Sequence, residues 1–166
     1  MTSSDTMVLM RSLADLAVSR KRVLATAESC TGGLIAAAFT ELSGSSAWFD
    51  RGFVTYSNGA KQEMLGVAEQ VLSDYGAVSE QTVIAMAEGS VAASDANIAV
   101  AVSGVAGPTG GSEAKPVGTV WIGCAGDGFE SRAQYHLFAG DRQAVRQQTV
   151  DHAVRLLINC IESDSR

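Results

Sequence analysis

The hydrophobic positions of this 166-residue chain follow two spacings that alternate along its length. Apolar residues that recur every three or four positions indicate amphipathic helices, whereas short runs of β-branched, aromatic or small apolar residues indicate strands. The predicted helices cover residues 5–20, 34–42, 59–65, 69–75, 80–94 and 142–161. The predicted strands cover residues 22–27, 48–56, 97–103, 118–124 and 129–137. The chain is therefore predicted to contain both helices and strands throughout its length.

Short polar segments indicate how these elements begin and connect. The expected helix N-caps are Ser4 or Asp5, Asn58, Ser79 and Asp141. The last two strands are joined across Ala-Gly-Asp-Gly at residues 125–128, a hairpin signal that makes them antiparallel. Residues 97–103 are almost wholly apolar, which is typical of a central strand covered on both faces. The sheet is therefore predicted to be mixed.

The composition of the chain excludes several classes of protein. A mass of 17.2 kDa fits one domain, so residues 1–166 are predicted to form a single unit. A net charge of −6 argues against nucleic acid as a partner, because non-specific binding relies on clustered Lys and Arg. The longest apolar runs fall short of the ~20 residues that span a bilayer. We therefore expect no membrane segment and no export signal.

The cysteines and histidines indicate neither a disulfide framework nor a metal site. Cys30, Cys124 and Cys160 are odd in number and far apart, which favours reduced thiols and a cytoplasmic protein. No His, Cys, Asp or Glu cluster has metal-ligand spacing, so no metal is expected. His136 and His152 have no acidic partner at a recognisable triad spacing, which leaves a Ser-His-Asp hydrolase without support.

The stretch of residues 25–33, Ala-Thr-Ala-Glu-Ser-Cys-Thr-Gly-Gly, joins a predicted strand to a predicted helix. A hydroxyl at such a junction lies beside backbone N–H groups and the positive end of a helix dipole, where an anion can be held. Ser29 is therefore a candidate nucleophile, although Ser and Thr at a helix start are also common as simple caps. Cys30 is a rival nucleophile, or a small buried apolar side chain.

Three further polar features each allow two interpretations. Lys61 lies in the first turn of a predicted helix, whose field would lower its pKa and suit a general base, but a lone lysine is usually solvated. The glycine-rich residues 103–117 can cradle an oxyanion or phosphate, or form a surface loop. Arg142 at the start of the last helix can clamp a phosphate or carboxylate, or make a surface ion pair.

The motifs taken together resemble the CinA C-terminal domain family over nearly the whole chain. The resemblance is carried by Thr-Ala-Glu-Ser-Cys-Thr-Gly-Gly at 26–33, Tyr-Ser-Asn at 56–58 with Lys61, Ser-Gly-Val-Ala-Gly-Pro at 103–108, Gly-Gly at 110–111 and Lys-Pro-Val-Gly-Thr-Val at 115–120. It implies an α/β fold, as a single-domain α/β/α sandwich with a mixed central sheet. It also implies hydrolysis of the carboxamide of nicotinamide mononucleotide to nicotinate mononucleotide and ammonia, in pyridine nucleotide recycling.

Carried over by position, the resemblance makes Ser29 the nucleophile, Lys61 the general base and Tyr56 an aid to the proton relay or to the orientation of the lysine. It implies no metal or organic cofactor, a small nucleotide as the substrate, and a homodimer or other homo-oligomer. Two alternatives stay open: a non-catalytic nucleotide-binding or regulatory module, and a cysteine amidase that uses Cys30. The expected substrate-binding residues are Cys30, Thr31, Gly32, Gly33, Ser103, Gly104, Gly107, Gly111 and Arg142.

Overall fold

Five strands form one mixed sheet in the order β2-β1-β3-β4-β5. The computed structural model describes residues 3–164. β1 pairs in parallel with both β2 and β3, whereas β3 and β4 are antiparallel. β4 and β5 are also antiparallel, as the hairpin signal predicted. The carboxyl ends of β1, β2 and β3 therefore meet at one edge of the sheet. The strands are β1 Leu24–Glu28, β2 Phe49–Val54, β3 Ile98–Gly104, β4 Thr119–Gly126 and β5 Arg132–Leu137.

Six helices cover the two faces of this sheet in the described part of the chain. Apolar side chains of α1, α2 and α6 pack on one face and those of α3, α4 and α5 on the other, which confirms the α/β/α sandwich. None of the helices within residues 3–164 is long and apolar enough to cross a bilayer. The helices are α1 Ser4–Ser19, α2 Leu34–Thr40, α3 Asn58–Leu65, α4 Glu69–Tyr75, α5 Glu80–Ala92 and α6 Arg142–Ser163.

Helix starts agree with the polar pattern to within one or two residues. Ser79 and Asp141 cap α5 and α6 as predicted. The predicted cap Asn58 is wrong, because the extended Ser57 accepts the N–H of Ala60 at 3.0 Å and Asn58 is already helical. At α1, Ser3 is the cap in place of the predicted Ser4 or Asp5. The predicted single domain runs over 1–166, of which residues 1–2 and 165–166 lie outside the described residues.

The packing of α3 against α5 depends on the absence of a side chain at Gly89. A Cβ atom at this position would lie 2.0 Å from the carbonyl oxygen of Leu65 at the end of α3. Alanine is preferred over glycine inside a helix by about 0.5–1 kcal/mol, but overpacking costs about 1–3 kcal/mol. We therefore expect Gly89→Ala to lower the free energy of unfolding by about 1–2 kcal/mol, measured by urea denaturation.

Gly59, which lies in the first turn of α3, is the matched control for this substitution. A Cβ there would meet only the Ser57 hydroxyl oxygen at 3.9 Å, so Gly59→Ala should leave stability equal or slightly higher. If Gly89→Ala were as stable as Gly59→Ala, the close approach of α5 to α3 would be contradicted.

Candidate active site

The chain turns sharply at the carboxyl end of β1, where Ser29 follows the strand directly. The backbone N–H of Ser29 donates to the carbonyl of Val102 in β3 at 3.1 Å, which anchors the residue to the sheet. Gly32 and Gly33 have φ angles of +57° and +109°, a left-handed conformation that glycine adopts without steric cost. This turn brings α2 back over the sheet and leaves Ser29 at its edge.

A buried carboxylate holds the turn from within. Glu28 is 1% exposed, and its carboxylate accepts the N–H groups of Ile35 at 2.8 Å and Ala36 at 3.0 Å. It also accepts the hydroxyl of Thr31 at 2.6 Å. The carboxylate thus satisfies the first N–H groups of α2, where the helix dipole favours a negative charge. Thr31, which was predicted to bind the substrate, is fully buried, uses its hydroxyl within the turn and lines neither of the two cavities described below.

Ser29 and Lys61 form a hydrogen-bonded pair at this edge. The Nζ atom of Lys61 lies 2.9 Å from the Oγ atom of Ser29, and also donates to the carbonyls of Thr55 at 2.8 Å and Tyr56 at 3.2 Å. Lys61 is 1% exposed, so the interpretation of this residue as a solvated surface lysine is wrong. Burial lowers the pKa of Lys61 from 10.5 to about 8, the predicted direction, with desolvation as the main cause. A fraction of the amine is therefore neutral near pH 7 and able to accept a proton.

Burial shifts the pKa of the Cys30 thiol in the opposite direction. Cys30 is buried, and burial raises the pKa of its thiol to about 11. The thiolate is the nucleophilic form of cysteine, and this pKa leaves almost none of it near neutral pH. The burial of this thiol thus gives no support to the cysteine amidase alternative.

Tyr56 contributes its backbone to the pair and its side chain to a different neighbour. Its carbonyl accepts from Lys61 and from the Ser29 hydroxyl, the latter at 3.4 Å. Its side chain is 62% exposed, and the phenol oxygen lies 3.5 Å from the Nη2 atom of Arg142. The lysine is therefore oriented by the carbonyl of Tyr56, and no contact joins the phenol to Lys61.

A cavity of about 210 Å³ opens onto this pair. Seven of the predicted site residues line it: Ser29, Cys30, Tyr56, Lys61, Ser103, Gly104 and Arg142. Ala77, Val78 and Ala106 complete the lining. The fold thus brings together residues from five segments that lie far apart along the chain.

Four of the predicted glycines do not line this cavity and have structural positions instead. Gly32 and Gly33 shape the turn after Ser29. The carbonyl of Gly107 accepts the Nη1 atom of Arg142 at 2.9 Å. A Cβ at Gly111 would come within 2.8 Å of the backbone nitrogen of Val117, so this glycine permits close packing inside the loop. Gly104 is the one of the five predicted glycines that lines the cavity, and an added Cβ there would lie 2.6 Å from the Cγ2 atom of Val120.

A wider cavity of about 880 Å³ adjoins the first, and the two share Ala106 and Arg142. Its polar wall is the first turns of α6, including Arg142, Gln143, Arg146 and Gln147. Sequence reasoning named only Arg142 from this wall. Arg146 could have been found from its spacing, because residues four apart lie on the same helix face.

The histidines lie elsewhere. The rings of His136 and His152 are 4.5 Å apart and pack with Phe138, and neither residue lines either cavity. Burial lowers the pKa of both imidazoles. Within residues 3–164, no three His, Cys, Asp or Glu side chains come together in a group that could hold a metal ion. The groups positioned for acid-base chemistry at the cavity are therefore those of the Ser29–Lys61 pair.

A family model for the CinA C-terminal domain matches residues 7–161, nearly all of the chain. The chain belongs to this family. The nicotinamide-nucleotide amidohydrolase PncC of Escherichia coli K12 is 50% identical over 157 residues, which cover 95% of each chain. The protein of the same name from Enterobacter agglomerans is 63% identical over 122 residues, which cover 74% of each chain.

Solved structures of the CinA superfamily have the same fold. The competence/damage inducible protein CihA from Agrobacterium tumefaciens superposes with a TM-score of 0.94 at 43% identity, covering 98% of this chain and 99% of that chain. The competence damage-inducible protein A from Klebsiella pneumoniae superposes with a TM-score of 0.91 at 39% identity, covering 95% and 98% of the two chains. Because relatives that are 50–63% identical and matched over 74–95% of their own length are named as amidohydrolases, this member of the CinA family is an amidohydrolase as well.

Proposed function

We propose that this chain hydrolyses the carboxamide of nicotinamide mononucleotide through Ser29 and Lys61, releasing nicotinate mononucleotide and ammonia. The amidohydrolase relatives are named for a nicotinamide nucleotide, and the mononucleotide is the one that the family resemblance implies. The observation that carries the mechanism is the buried Lys61 Nζ atom, 2.9 Å from the Ser29 Oγ atom, in a lysine whose pKa is lowered to about 8. A neutral amine in hydrogen-bond contact with a hydroxyl is the arrangement that activates a serine nucleophile.

In the acylation step, Lys61 takes the hydroxyl proton of Ser29 and the Oγ atom attacks the carboxamide carbon. The C–N bond of the tetrahedral intermediate then breaks, and the proton on Lys61 passes to the leaving nitrogen, so that ammonia departs. The product of this step is an ester between the nicotinoyl group of the nucleotide and the Oγ atom of Ser29. The lysine returns to its neutral form and is ready for the second step.

In the deacylation step, Lys61 takes a proton from water and the hydroxide oxygen attacks the ester carbon. The C–O bond to Ser29 breaks, the proton returns to the Oγ atom, and nicotinate mononucleotide leaves. In both steps the oxyanion needs hydrogen-bond donors. Among the described residues, the backbone N–H of Cys30, a residue that lines the smaller cavity, donates no backbone hydrogen bond, which leaves it for this role.

The two adjoining cavities fit the two parts of a mononucleotide. The smaller cavity, with Ser29 and Lys61, takes the carboxamide and its ring, and the wider one takes the ribosyl phosphate. Arg142 lines both cavities and supplies the positive charge that a phosphate requires. This explains how a chain with a net charge of −6 can bind an anionic substrate. The homo-oligomeric state and the cytoplasmic location stay predictions from the sequence.

The test of this function is ammonia release by the purified protein from nicotinamide mononucleotide, with nicotinamide riboside and nicotinamide as controls. We expect release from the mononucleotide and little from the other two compounds. If a folded protein released no ammonia over a range of pH, the deamidase function would be wrong. A nucleotide-binding module, which calorimetry with the mononucleotide would detect, would then be the better account of the cavity.

The Arg142→Ala variant tests the phosphate contact. A hydrogen bond to a charged group contributes about 1.5–3 kcal/mol, so we expect KM for the mononucleotide to rise about 10- to 100-fold. The value of kcat/KM for the riboside should change much less, because the riboside has no phosphate. Arg155→Ala, an exposed position further along α6 that lines neither cavity, is the matched control. Equal losses on both substrates would contradict the phosphate contact.

A further inference from the structure

We propose that Arg146 is a positioning residue for the amidase reaction, which fixes the turn after Ser29 in the shape that stabilises the oxyanion. The inference rests on the proposed serine mechanism and concerns a residue to which the family motifs give no role. Arg146 lies one helical turn after Arg142 on α6, and its side chain is half-buried.

The guanidinium of Arg146 bonds to two successive carbonyls of the turn. Its Nε atom donates to the carbonyl of Cys30 at 3.1 Å, and its Nη2 atom donates to the carbonyl of Thr31 at 3.1 Å. A Cβ atom at Gly32 would lie 3.6 Å from the same Nη2 atom, so the guanidinium packs directly over the turn. This is a planar two-point contact, for which the rigid fork of the arginine guanidinium is suited.

The geometry of the peptide plane converts these contacts into control of the N–H groups. In a trans peptide, the C=O and the following N–H are coplanar and point in opposite directions. A bond that fixes the Thr31 carbonyl toward Arg146 therefore aims the N–H of Gly32 away from Arg146, and this N–H donates to the carbonyl of Ser29 at 3.1 Å. The Ser29 carbonyl and the Cys30 N–H belong to one peptide, so this bond fixes the direction of the Cys30 N–H in turn. Arg146 thus acts on the N–H left for the oxyanion through the next peptide of the turn.

The turn is held by two side chains of unlike charge. Glu28 accepts the N–H groups at the start of α2, and Arg146 donates to the carbonyls just before them. A donor bonded to a carbonyl also polarises its peptide and strengthens the N–H as a donor. Arg146 therefore orients the Cys30 N–H and raises its ability to stabilise negative charge.

The two arginines of α6 differ in what they are free to do. Arg142 is exposed, lines both cavities and keeps part of its guanidinium for a ligand. Arg146 lines only the wider cavity and has its Nε and Nη2 atoms engaged by the turn. Loss of Arg142 should therefore appear in KM and loss of Arg146 in kcat, which separates a binding residue from a positioning residue.

The experiment compares wild type, Arg146→Met, Arg146→Lys and the exposed control Arg155→Met in two assays. The first assay measures kcat and KM for ammonia release from nicotinamide mononucleotide. The second measures the rate at which a fluorophosphonate labels Ser29, which reports the nucleophile and its oxyanion donors without the natural substrate. Removal of one oxyanion donor costs about 100- to 1,000-fold, so a misplaced donor in Arg146→Met should lower kcat and the labelling rate by about 10- to 100-fold. KM should stay within about threefold, and Arg146→Lys should recover part of the loss.

Several results would overturn the inference. A raised KM with unchanged kcat would make Arg146 a phosphate ligand, and unchanged values in both assays would remove its role altogether. If Arg146→Met failed to fold, Arg146→Lys would serve in its place, with thermal unfolding as the control. If wild type labelled with the fluorophosphonate but released no ammonia, the proposed substrate would be wrong and the labelling rates would still test Arg146. A wild type with neither activity would contradict both proposals.

Discussion

Ser29→Ala is expected to reduce kcat for deamidation of nicotinamide mononucleotide by about 10,000-fold or more, because loss of a serine nucleophile has effects of this size. The fold should persist, since the Nζ atom of Lys61 keeps its bonds to the carbonyls of Thr55 and Tyr56. The substrate should still bind, because Arg142 and the wider cavity are unchanged. Ammonia release measures the loss, calorimetry measures the retained binding, and thermal unfolding measures the retained fold.

Two further variants make this result specific to the Ser29 hydroxyl. Ser12→Ala, at an exposed position of α1, is the matched control for a serine that lies away from the cavity. Cys30→Ala tests the neighbouring thiol, and we expect it to lose far less activity than Ser29→Ala, because the raised pKa of Cys30 keeps that thiol protonated. If Cys30→Ala were the inactive variant and Ser29→Ala retained more than a tenth of the activity, the serine mechanism would be contradicted.

Lys61→Met is expected to lower kcat by about 1,000- to 10,000-fold and to abolish the pH dependence of the wild type. The base must be neutral, and with a pKa of about 8 the neutral fraction increases from about a tenth at pH 7 to about a half at pH 8. The wild-type kcat should therefore increase about fivefold between pH 7 and pH 8 and level off above pH 9. A pH profile of ammonia release, taken for both proteins at saturating substrate, measures this difference.

The same lysine should be visible in the pH dependence of stability. Between a folded pKa of about 8 and an unfolded value of 10.5, the unfolded chain binds more protons at this site than the folded chain. The lysine therefore makes the free energy of unfolding increase with pH in this window. Lys61→Met removes that contribution, whereas Lys21→Met, at an exposed position, keeps it.

A wild-type kcat that fell between pH 7 and pH 9 would contradict Lys61 as the base.

The elements were predictable from the sequence because their burial is one-sided or complete. The residues of β3 from Ile98 to Val102 are all fully buried, and this is why the segment reads as an unbroken apolar run. The helix α4 was predicted with its observed bounds, Glu69–Tyr75, since a glycine follows it directly. The N-caps Ser79 and Asp141 were predictable for a similar reason, because capping is a local interaction.

The site was less predictable, because its chemistry depends on contacts between distant segments. Nothing near Lys61 in the sequence indicates burial, which arises when its amine meets carbonyls at the end of β2 and the hydroxyl of Ser29. Arg146 bonds to carbonyls more than a hundred positions away in the chain, and no local pattern encodes that contact. The role of Glu28 could have been predicted more easily from the sequence, since an acid just before a helix start is a recognisable partner for the N–H groups of that helix.

The order of the strands also determines when the site exists during synthesis. β1, the strand that ends just before Ser29, lies between β2 and β3, and its Leu24 pairs with Ile98. The turn after β1 is therefore anchored only when β3 has been made. The last helix supplies Arg142 and Arg146, which come after every strand. Contacts of such large sequence separation form late, because the intervening chain must first be ordered. A nascent chain that stops short of α6 therefore holds the Ser29 hydroxyl without the arginines that we propose bind the substrate and shape the turn, and we expect truncated products to be inactive.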